Sequence, residues 1–139
     1  MIILDTNVVS GLMRASSDPI LVSWLDSQPR NSVWITTITV LEIQFGLDLM
    51  PDGRRAAGLR TAFDRLVAEM LQRRIAPFDA AAAGETATLM AARQRRGQPQ
   101  ELRDSMIAGT AIARRATLAT RNVRHFPDLV VPPVNPWDE

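Results

Sequence analysis

The chain has 139 residues, 46% of them hydrophobic, which suffices for one domain with a core and leaves no room for a second. There is no cysteine and only one histidine, His125, so a disulfide framework, a thiolate zinc site, a cysteine nucleophile and a histidine-rich metal site are excluded. The net charge of +1 does not by itself indicate a nucleic-acid binder, although all 16 basic residues are arginine, which a GC-rich genome or phosphate binding would both explain.

Short apolar runs typical of strands alternate with longer stretches of helical periodicity. The predicted strands are residues 1–4, 33–36, 75–78 and 117–120, with Val130 and Val131 beginning a fifth that Pro132 and Pro133 interrupt, as suits an edge. Helix starts are predicted at Asp5, at Asp18-Pro19, at Thr39 with Glu42 three residues on, at Asp79, and near Leu102. Between them, residues 59–70 form an amphipathic pattern.

This alternation predicts an α/β fold, a single domain over residues 1–139 with a central, mostly parallel sheet of about five strands flanked by helices. In such sheets ligands bind at the carboxyl ends of the strands, near a topological switch point. No apolar run is long enough to cross a bilayer, and residues 1–4 lead straight into Asp5 without a signal-peptide pattern. We therefore expect a soluble, cytoplasmic protein.

Four polar residues fall where that rule directs: Asp5 after the first strand, Glu42 and Asp104 in early turns of helices, and Asn122 after the fourth strand. Each also has an ordinary explanation, because an acidic residue at a helix start caps it or favours its dipole. Together, three carboxylates would repel one another unless a cation neutralised them.

Without cysteine or several histidines, the cation must be one that oxygen ligands hold, which indicates Mg²⁺ or Mn²⁺. Asp5 and Asp104 would ligate it directly, and Glu42 directly or through water. Glu42 would also orient or deprotonate an attacking water, whose pKa the cation lowers, and Asn122 would hold a ligand or water by its amide.

Four segments resemble the motifs of PIN-domain nucleases, and most closely those of the VapC and FitB toxins of bacterial toxin–antitoxin pairs. They are MIILDTNVVS at 1–10, TTITVLE at 36–42, DSMIA at 104–108 and TRNVRHF at 120–126. Their order and spacing cover nearly the whole chain, and Asn135-Pro136-Trp137 is similar to the tail of the FitB-like branch.

The resemblance implies a PIN fold, Mg²⁺- or Mn²⁺-dependent RNA cleavage, a homodimer and a cognate VapB- or FitA-type antitoxin. It also implies that the antitoxin tail occupies the acidic site and that promoter DNA is bound only through the complex. Two departures from the family pattern are Asn122, where some members have aspartate, and His125, where aspartate is frequent. With fewer negative charges, we expect one firmly bound metal and a loose or absent second.

Several neighbours have two interpretations. Thr6 and Thr120 would place hydroxyls near a metal-bound water or cap the chain locally. Arg121 and Arg124 would hold RNA phosphates or face solvent, and His125 would contact phosphate, transfer a proton or lie in a surface turn. The three tryptophans would stack on bases or, as is more usual, pack in a core or interface.

The leading hypothesis is a metal-dependent endoribonuclease toxin that cleaves a single-stranded loop of transfer or ribosomal RNA. One alternative is a catalytically weak PIN-fold protein that acts with its antitoxin at DNA, which the departures at Asn122 and His125 leave open. Another is a Mg²⁺ phosphohydrolase of small molecules. Against it, Asn7 stands where an aspartyl-phosphate enzyme has its second aspartate.

Overall fold

In a computed structural model that describes residues 1–138, the chain forms a parallel sheet with helices on both faces. The strands are β1 (Ile2–Leu4), β2 (Val33–Thr36), β3 (Ile75–Ala76) and β4 (Thr117–Ala119). The helices are α1 (Thr6–Met13), α2 (Pro19–Asp26), α3 (Thr37–Leu49), α4 (Arg54–Arg65), α5 (Ala80–Arg95) and α6 (Leu102–Arg114). Two helices therefore connect each strand to the next, and the α/β, parallel-sheet prediction is confirmed.

The strand order β3-β2-β1-β4 puts the topological switch between β1 and β4. From β1 the chain proceeds through β2 to β3 in one direction, and β4 then pairs on the other side of β1. At this point β1 leads into α1 and β4 leads into a loop with a 3₁₀ turn at Val123–His125, and the crevice between them is where doubly wound sheets bind ligands. Asp5 and Thr120 are the first residues after those two strands.

Successive side chains of the short strands point to opposite faces of the sheet and pack into two separate hydrophobic cores. Leu4 faces the cluster formed with α1 to α4, and Ile3 faces the cluster formed with α5 and α6. Both side chains are fully buried, as period-two alternation requires of a strand covered on both faces. The amphipathic face predicted over residues 59–70 packs on the first cluster, where α4 continues as a π-helical turn over Leu66–Met70.

Helices α5 and α6 approach each other closely because Gly109 lies at their contact. A Cβ built on Gly109 would come within 1.8 Å of the Thr86 hydroxyl oxygen and 2.8 Å of the Thr86 backbone nitrogen. Glycine at position 109 therefore allows α6, which carries Asp104, to lie close to α5.

The predicted break after α5 is also present, with Gly97 in the left-handed region at φ 69°.

Two sequence predictions about elements were wrong. The described residues contain four strands rather than about five, because Val130 is 89% exposed and residues 130–131 form no strand. Instead Val134, beyond the two prolines, forms a single parallel bridge with Ala119. Thr39 does not cap α3: the hydroxyl of Thr36 accepts the Thr39 backbone N–H, so the helix begins one turn earlier.

Candidate active site

Asp5 lies at the switch point and is almost fully buried, with 4% of its surface exposed. Its Oδ1 accepts the Thr6 backbone N–H at 2.8 Å, and its Oδ2 accepts the Thr120 hydroxyl at 2.7 Å. Burial raises the pKa of the Asp5 carboxyl, these two donors lower it, and the negative charge of Glu42 raises it again; the net shift is upward. Asp5 is thus both the cap of α1 and a buried anion near other acids.

Asp104 faces the same region from the first turn of α6. Its side chain is 30% exposed, and the His125 ring nitrogen Nδ1 is 3.8 Å from its Oδ2. Partial burial raises the pKa of Asp104, as do the negative charges of Asp5 and Glu101, and His125 acts in the opposite direction. The Glu101 carboxylate caps α6 by accepting the Asp104 backbone N–H at 3.1 Å, which fixes the start of this helix.

Glu42 is held on α3 by a hydroxyl pair. Its Oε1 accepts the Thr6 hydroxyl at 2.8 Å, and the Thr6 and Thr39 hydroxyl oxygens are 3.0 Å apart. Arg103 lies on the other side, with its Nε 3.9 Å from Glu42 Oε2 and 3.1 Å from Glu101 Oε1. The sequence placed Thr6 at the site, and the structure shows it bound to the Glu42 carboxylate.

The segment after β4 completes the site. The backbone N–H of Asn122 donates to the Thr120 hydroxyl at 3.1 Å, and the Asn122 side chain is exposed. Arg121 lies over the Trp137 ring, with its guanidinium carbon 4.1 Å from the ring centroid. Arg124 is exposed and forms no ion pair with the carboxylates of residues 1–138, so the structure does not join it to the acidic group.

Sequence reasoning missed the role of Asn7, which bridges three parts of the site. Its Nδ2 lies 3.3 Å from Asp5 Oδ2 and 3.4 Å from the Thr120 hydroxyl, and its Oδ1 accepts the Arg121 backbone N–H at 3.1 Å. Its place two residues after Asp5, on the first turn of α1, was the available signal. Asn7 therefore serves as a structural link where a phosphotransfer enzyme would need an acid.

A second missed feature ties α5 to the segment that carries His125. Arg93, with 2% of its side chain exposed, makes two 2.9 Å contacts with the Asp128 carboxylate. It also donates to the Ser105 hydroxyl at 3.2 Å and to the His125 backbone oxygen at 3.4 Å. Nothing in the sequence distinguishes Arg93 from the other arginines near it, because its partner lies 35 residues away.

The donor set fits a hard divalent cation in its chemistry. It offers carboxylate oxygens, and the negative charge of Asp5 raises the pKa of Asp104, an effect that a cation between the two carboxylates would reverse. Among the described side chains, however, no three acidic or histidine groups stand at metal-holding spacing. Direct ligation by Asp5, Glu42 and Asp104 together is therefore not preformed.

Residues 2–130 match the model of the PIN domain, so the chain belongs to the PIN-domain family. Within it, the chain is 36% identical over 138 residues to the VapC ribonuclease Y4jK of Sinorhizobium fredii, covering 99% of both chains. It is 32% identical over 139 residues to the toxin FitB of Neisseria gonorrhoeae, covering all of both. A solved structure of FitAB bound to an IR36 DNA fragment contains a chain that is 33% identical, with a TM-score of 0.87, covering 99% of this chain and 96% of that one. The resemblance to the VapC and FitB branch is thereby confirmed.

Proposed function

We propose that this protein is a divalent-cation-dependent endoribonuclease, the toxin of a bacterial toxin–antitoxin pair. The observation that carries the proposal is the buried Asp5 at the switch point, close enough to Asp104 that its charge raises the Asp104 pKa. Full-length similarity to a VapC ribonuclease and to the FitB toxin supports the same class of function.

Asp5 and Asp104 would hold the cation, Mg²⁺ or Mn²⁺, with Glu42 reaching it through water. When bound, such a cation stabilises charge on a phosphate during in-line displacement and lowers the pKa of a coordinated water. Glu42, oriented by Thr6, would position that water and accept its proton, and the Asn122 amide would hold a ligand without adding charge. Thr120 fixes one oxygen of Asp5 and so sets the direction of the other.

We infer a single firmly bound cation. Arg103 lies 3.9 Å from Glu42, so a positive side chain already stands beside one of the three carboxylates, and His125, 3.8 Å from Asp104, adds no negative charge. Asn122, in the loop after β4, adds no negative charge to the site. Calorimetric titration with Mn²⁺ should give one tight site per chain; two equally tight sites would contradict this.

The proposed partners follow from the relatives. FitAB has been solved on a DNA fragment, so we propose a FitA- or VapB-type antitoxin for this chain, with promoter DNA bound only through that complex. We also propose a homodimer, acting in the cytoplasm on RNA. No helix within residues 1–138 has the length and apolarity needed to cross a membrane.

The central test is cleavage of total RNA by the purified, antitoxin-free protein with Mg²⁺ or Mn²⁺ and with EDTA. We expect metal-dependent cuts that Asp5→Asn and Asp104→Asn both abolish. Asp64→Asn is the matched control, because it removes the same charge from an exposed position on α4, outside the candidate site. Failure of the folded, metal-loaded wild type to cut any RNA would overturn the nuclease proposal.

One alternative keeps a specific observation in its favour. Arg103 beside Glu42, together with the uncharged Asn122 amide, would weaken metal binding, as expected of a PIN-fold protein that acts mainly with its antitoxin at DNA. Intact DNA binding by the complex together with absent RNA cleavage would favour it. The small-molecule phosphohydrolase has less support, because Asn7 is committed to contacts with Asp5, Thr120 and Arg121.

A further inference from the structure

A polar cavity of about 430 Å³ opens beside the acidic site, between the end of α1, the start of α2 and the C-terminal tail. Two arginines, Arg14 and Arg121, line it together with Ser16, Ser17 and Trp137. Asp18 also lines it, but its carboxylate accepts the Ile20 backbone N–H at 2.9 Å and caps α2. The cavity therefore carries a net positive charge, and its size is in the range of small-ligand pockets.

Arg121 is held in place before any ligand binds. Its guanidinium stacks on the Trp137 ring at 4.1 Å, and its backbone N–H donates to Asn7 Oδ1 at 3.1 Å. A stacked guanidinium keeps its edge donors available for an anion and loses little side-chain entropy on binding. None of the carboxylates described within residues 1–138 forms an ion pair with Arg121 or Arg14.

The tail is shaped to put Trp137 under that guanidinium. Asn135 Oδ1 accepts the Trp137 backbone N–H at 3.0 Å, and Asn135 Nδ2 lies 3.4 Å from the Arg121 backbone oxygen. On the opposite side Gly11 leaves room for the ring: a Cβ there would lie 3.3 Å from Trp137 Cζ2 and 2.9 Å from Leu21 Cδ2. Three separated parts of the sequence thus build one platform.

The platform is coupled directly to the acidic site. Asn7, which fixes the Arg121 backbone, also lies 3.3 Å from Asp5 Oδ2 through its other amide atom. A chain of phosphates bound at the acidic site would therefore continue past Asn7 into the cavity. The acidic site and the two arginines are thus linked through Asn7, so one phosphate of a polyanionic strand would meet the cation and the next an arginine.

We propose that this cavity is a subsite for the nucleotide next to the cleaved bond of single-stranded RNA, with Arg121 and Arg14 binding its backbone phosphate. The proposal rests on the proposed ribonuclease function and adds a positioning surface outside the carboxylate group. Arg121 is a binding residue in this view, and Trp137 positions it.

The test measures binding of a fluorescently labelled single-stranded RNA in EDTA, so that no cleavage occurs, between about 50 and 200 mM salt. Arg121→Ala should weaken binding about tenfold at the lowest salt, as loss of a charge-assisted contact predicts. It should also reduce the slope of log K against log salt by about 0.7, one phosphate contact on a single strand. Arg121→Lys should keep the slope but weaken binding, because lysine keeps the charge without the planar stack.

Arg30→Ala is the matched control, because it removes the same charge from an exposed position at the amino end of β2, whereas Arg121 follows the carboxyl end of β4. Equal effects of Arg121→Ala and Arg30→Ala on affinity and slope would overturn the proposal. Trp137→Leu, which keeps the charge of Arg121 but removes its platform, should weaken binding less than Arg121→Ala and leave the slope unchanged.

Parallel cleavage assays separate this proposal from the ribonuclease proposal. Wild-type cleavage with unaltered RNA binding by Arg121→Ala would overturn the subsite and leave the nuclease intact. Loss of RNA binding in Arg121→Ala beside an inactive wild type would overturn the nuclease, and with it the place next to a cleaved bond, and would leave the cavity as an RNA-phosphate site only. If Arg121→Ala weakened only antitoxin binding, the cavity would be an antitoxin contact, and the RNA subsite would be wrong.

Discussion

Thr120 shows how much of the candidate site depends on one buried hydroxyl. It is fully buried, donates to Asp5 Oδ2 at 2.7 Å and accepts the Asn122 backbone N–H at 3.1 Å. The sequence suggested two roles, placing a water or capping the chain. In the structure the hydroxyl has a different role: it links the Asp5 carboxylate, after β1, to the backbone of the loop after β4.

Thr120→Val removes this donor while keeping the shape of the side chain. We expect the affinity for Mn²⁺ to fall by about tenfold, the low end of what loss of a second partner of a metal ligand costs. Thr120→Ser keeps the hydroxyl and should bind Mn²⁺ as the wild type does. Calorimetric titration of the three proteins measures the difference, and equal affinity of Thr120→Val and wild type would show that the hydroxyl does not orient Asp5.

The positions of these candidate site residues could be predicted because each follows a local rule. Asp5 and Asn122 lie after strands and Asp104 lies in a first helical turn, and parallel topology then brings these ends to one edge. Their contacts could not be predicted. The approach of His125 to Asp104 and of Arg103 to Glu42 depends on how α3, α6 and the turn at Val123–His125 pack together.

At the scale of elements, tertiary pairing decided the features that sequence patterns misplaced. The Thr-x-x-Glu spacing at Thr39 satisfies the capping-box pattern, yet Thr36 caps α3 and Thr39 is buried against Thr6. Likewise, β-branched Val130 and Val131 have strand propensity, but the sheet edge beyond β4 is met by Val134 instead. Propensity favours a local conformation, and the partner across the sheet determines which residue adopts it.

The Arg93–Asp128 pair ties α5 to the segment after the site, and its loss should be costly. Asp128→Asn leaves the Arg93 guanidinium, 2% exposed, without its anion. We expect a loss of about 3 kcal/mol in the free energy of unfolding at neutral pH, the low end for a broken buried pair. Asp48→Asn is the control, because the Asp48–Arg60 pair is exposed and should contribute well under about 1 kcal/mol.

Acid should remove the same contribution in the wild type. The hydrogen bond and charge of Arg93 hold the pKa of Asp128 below its usual value, so the folded protein binds the proton less tightly than the unfolded chain. The stabilisation is therefore complete above the unfolded pKa, about 3.9, and is lost as the pH falls through the folded pKa. Urea unfolding from pH 7 downward should show the wild type and Asp128→Asn converging below about pH 4; a constant gap would contradict this assignment.

At the scale of the whole molecule, one helix face is left without a partner. Leu41, Phe45 and Leu49 recur at four-residue spacing on α3 and are 52%, 53% and 70% exposed. Three large apolar side chains in a row on one face are unusual on a monomer surface and are typical of a protein–protein contact. We propose this row, on the helix that also carries Glu42, as the interface of the proposed homodimer.

Phe45→Glu should therefore convert the dimer into a monomer. A charge at the centre of an apolar interface has no partner, and two copies would meet it twice in a symmetric dimer. Light scattering coupled to gel filtration should give twice the 15.4 kDa of one chain for the wild type and 15.4 kDa for Phe45→Glu. The measurement needs protein on the order of 100 μM, since an oligomer's population depends on protomer concentration.

Val130→Glu is the control for the charge itself, because Val130 is 89% exposed and lies far along the chain from α3. It should remain a dimer and keep the wild-type melting temperature. If Phe45→Glu and Val130→Glu both remain dimeric, the dimer uses another surface and the α3 row is free for the antitoxin. A wild type that is monomeric at every concentration measured would instead overturn the homodimer proposal.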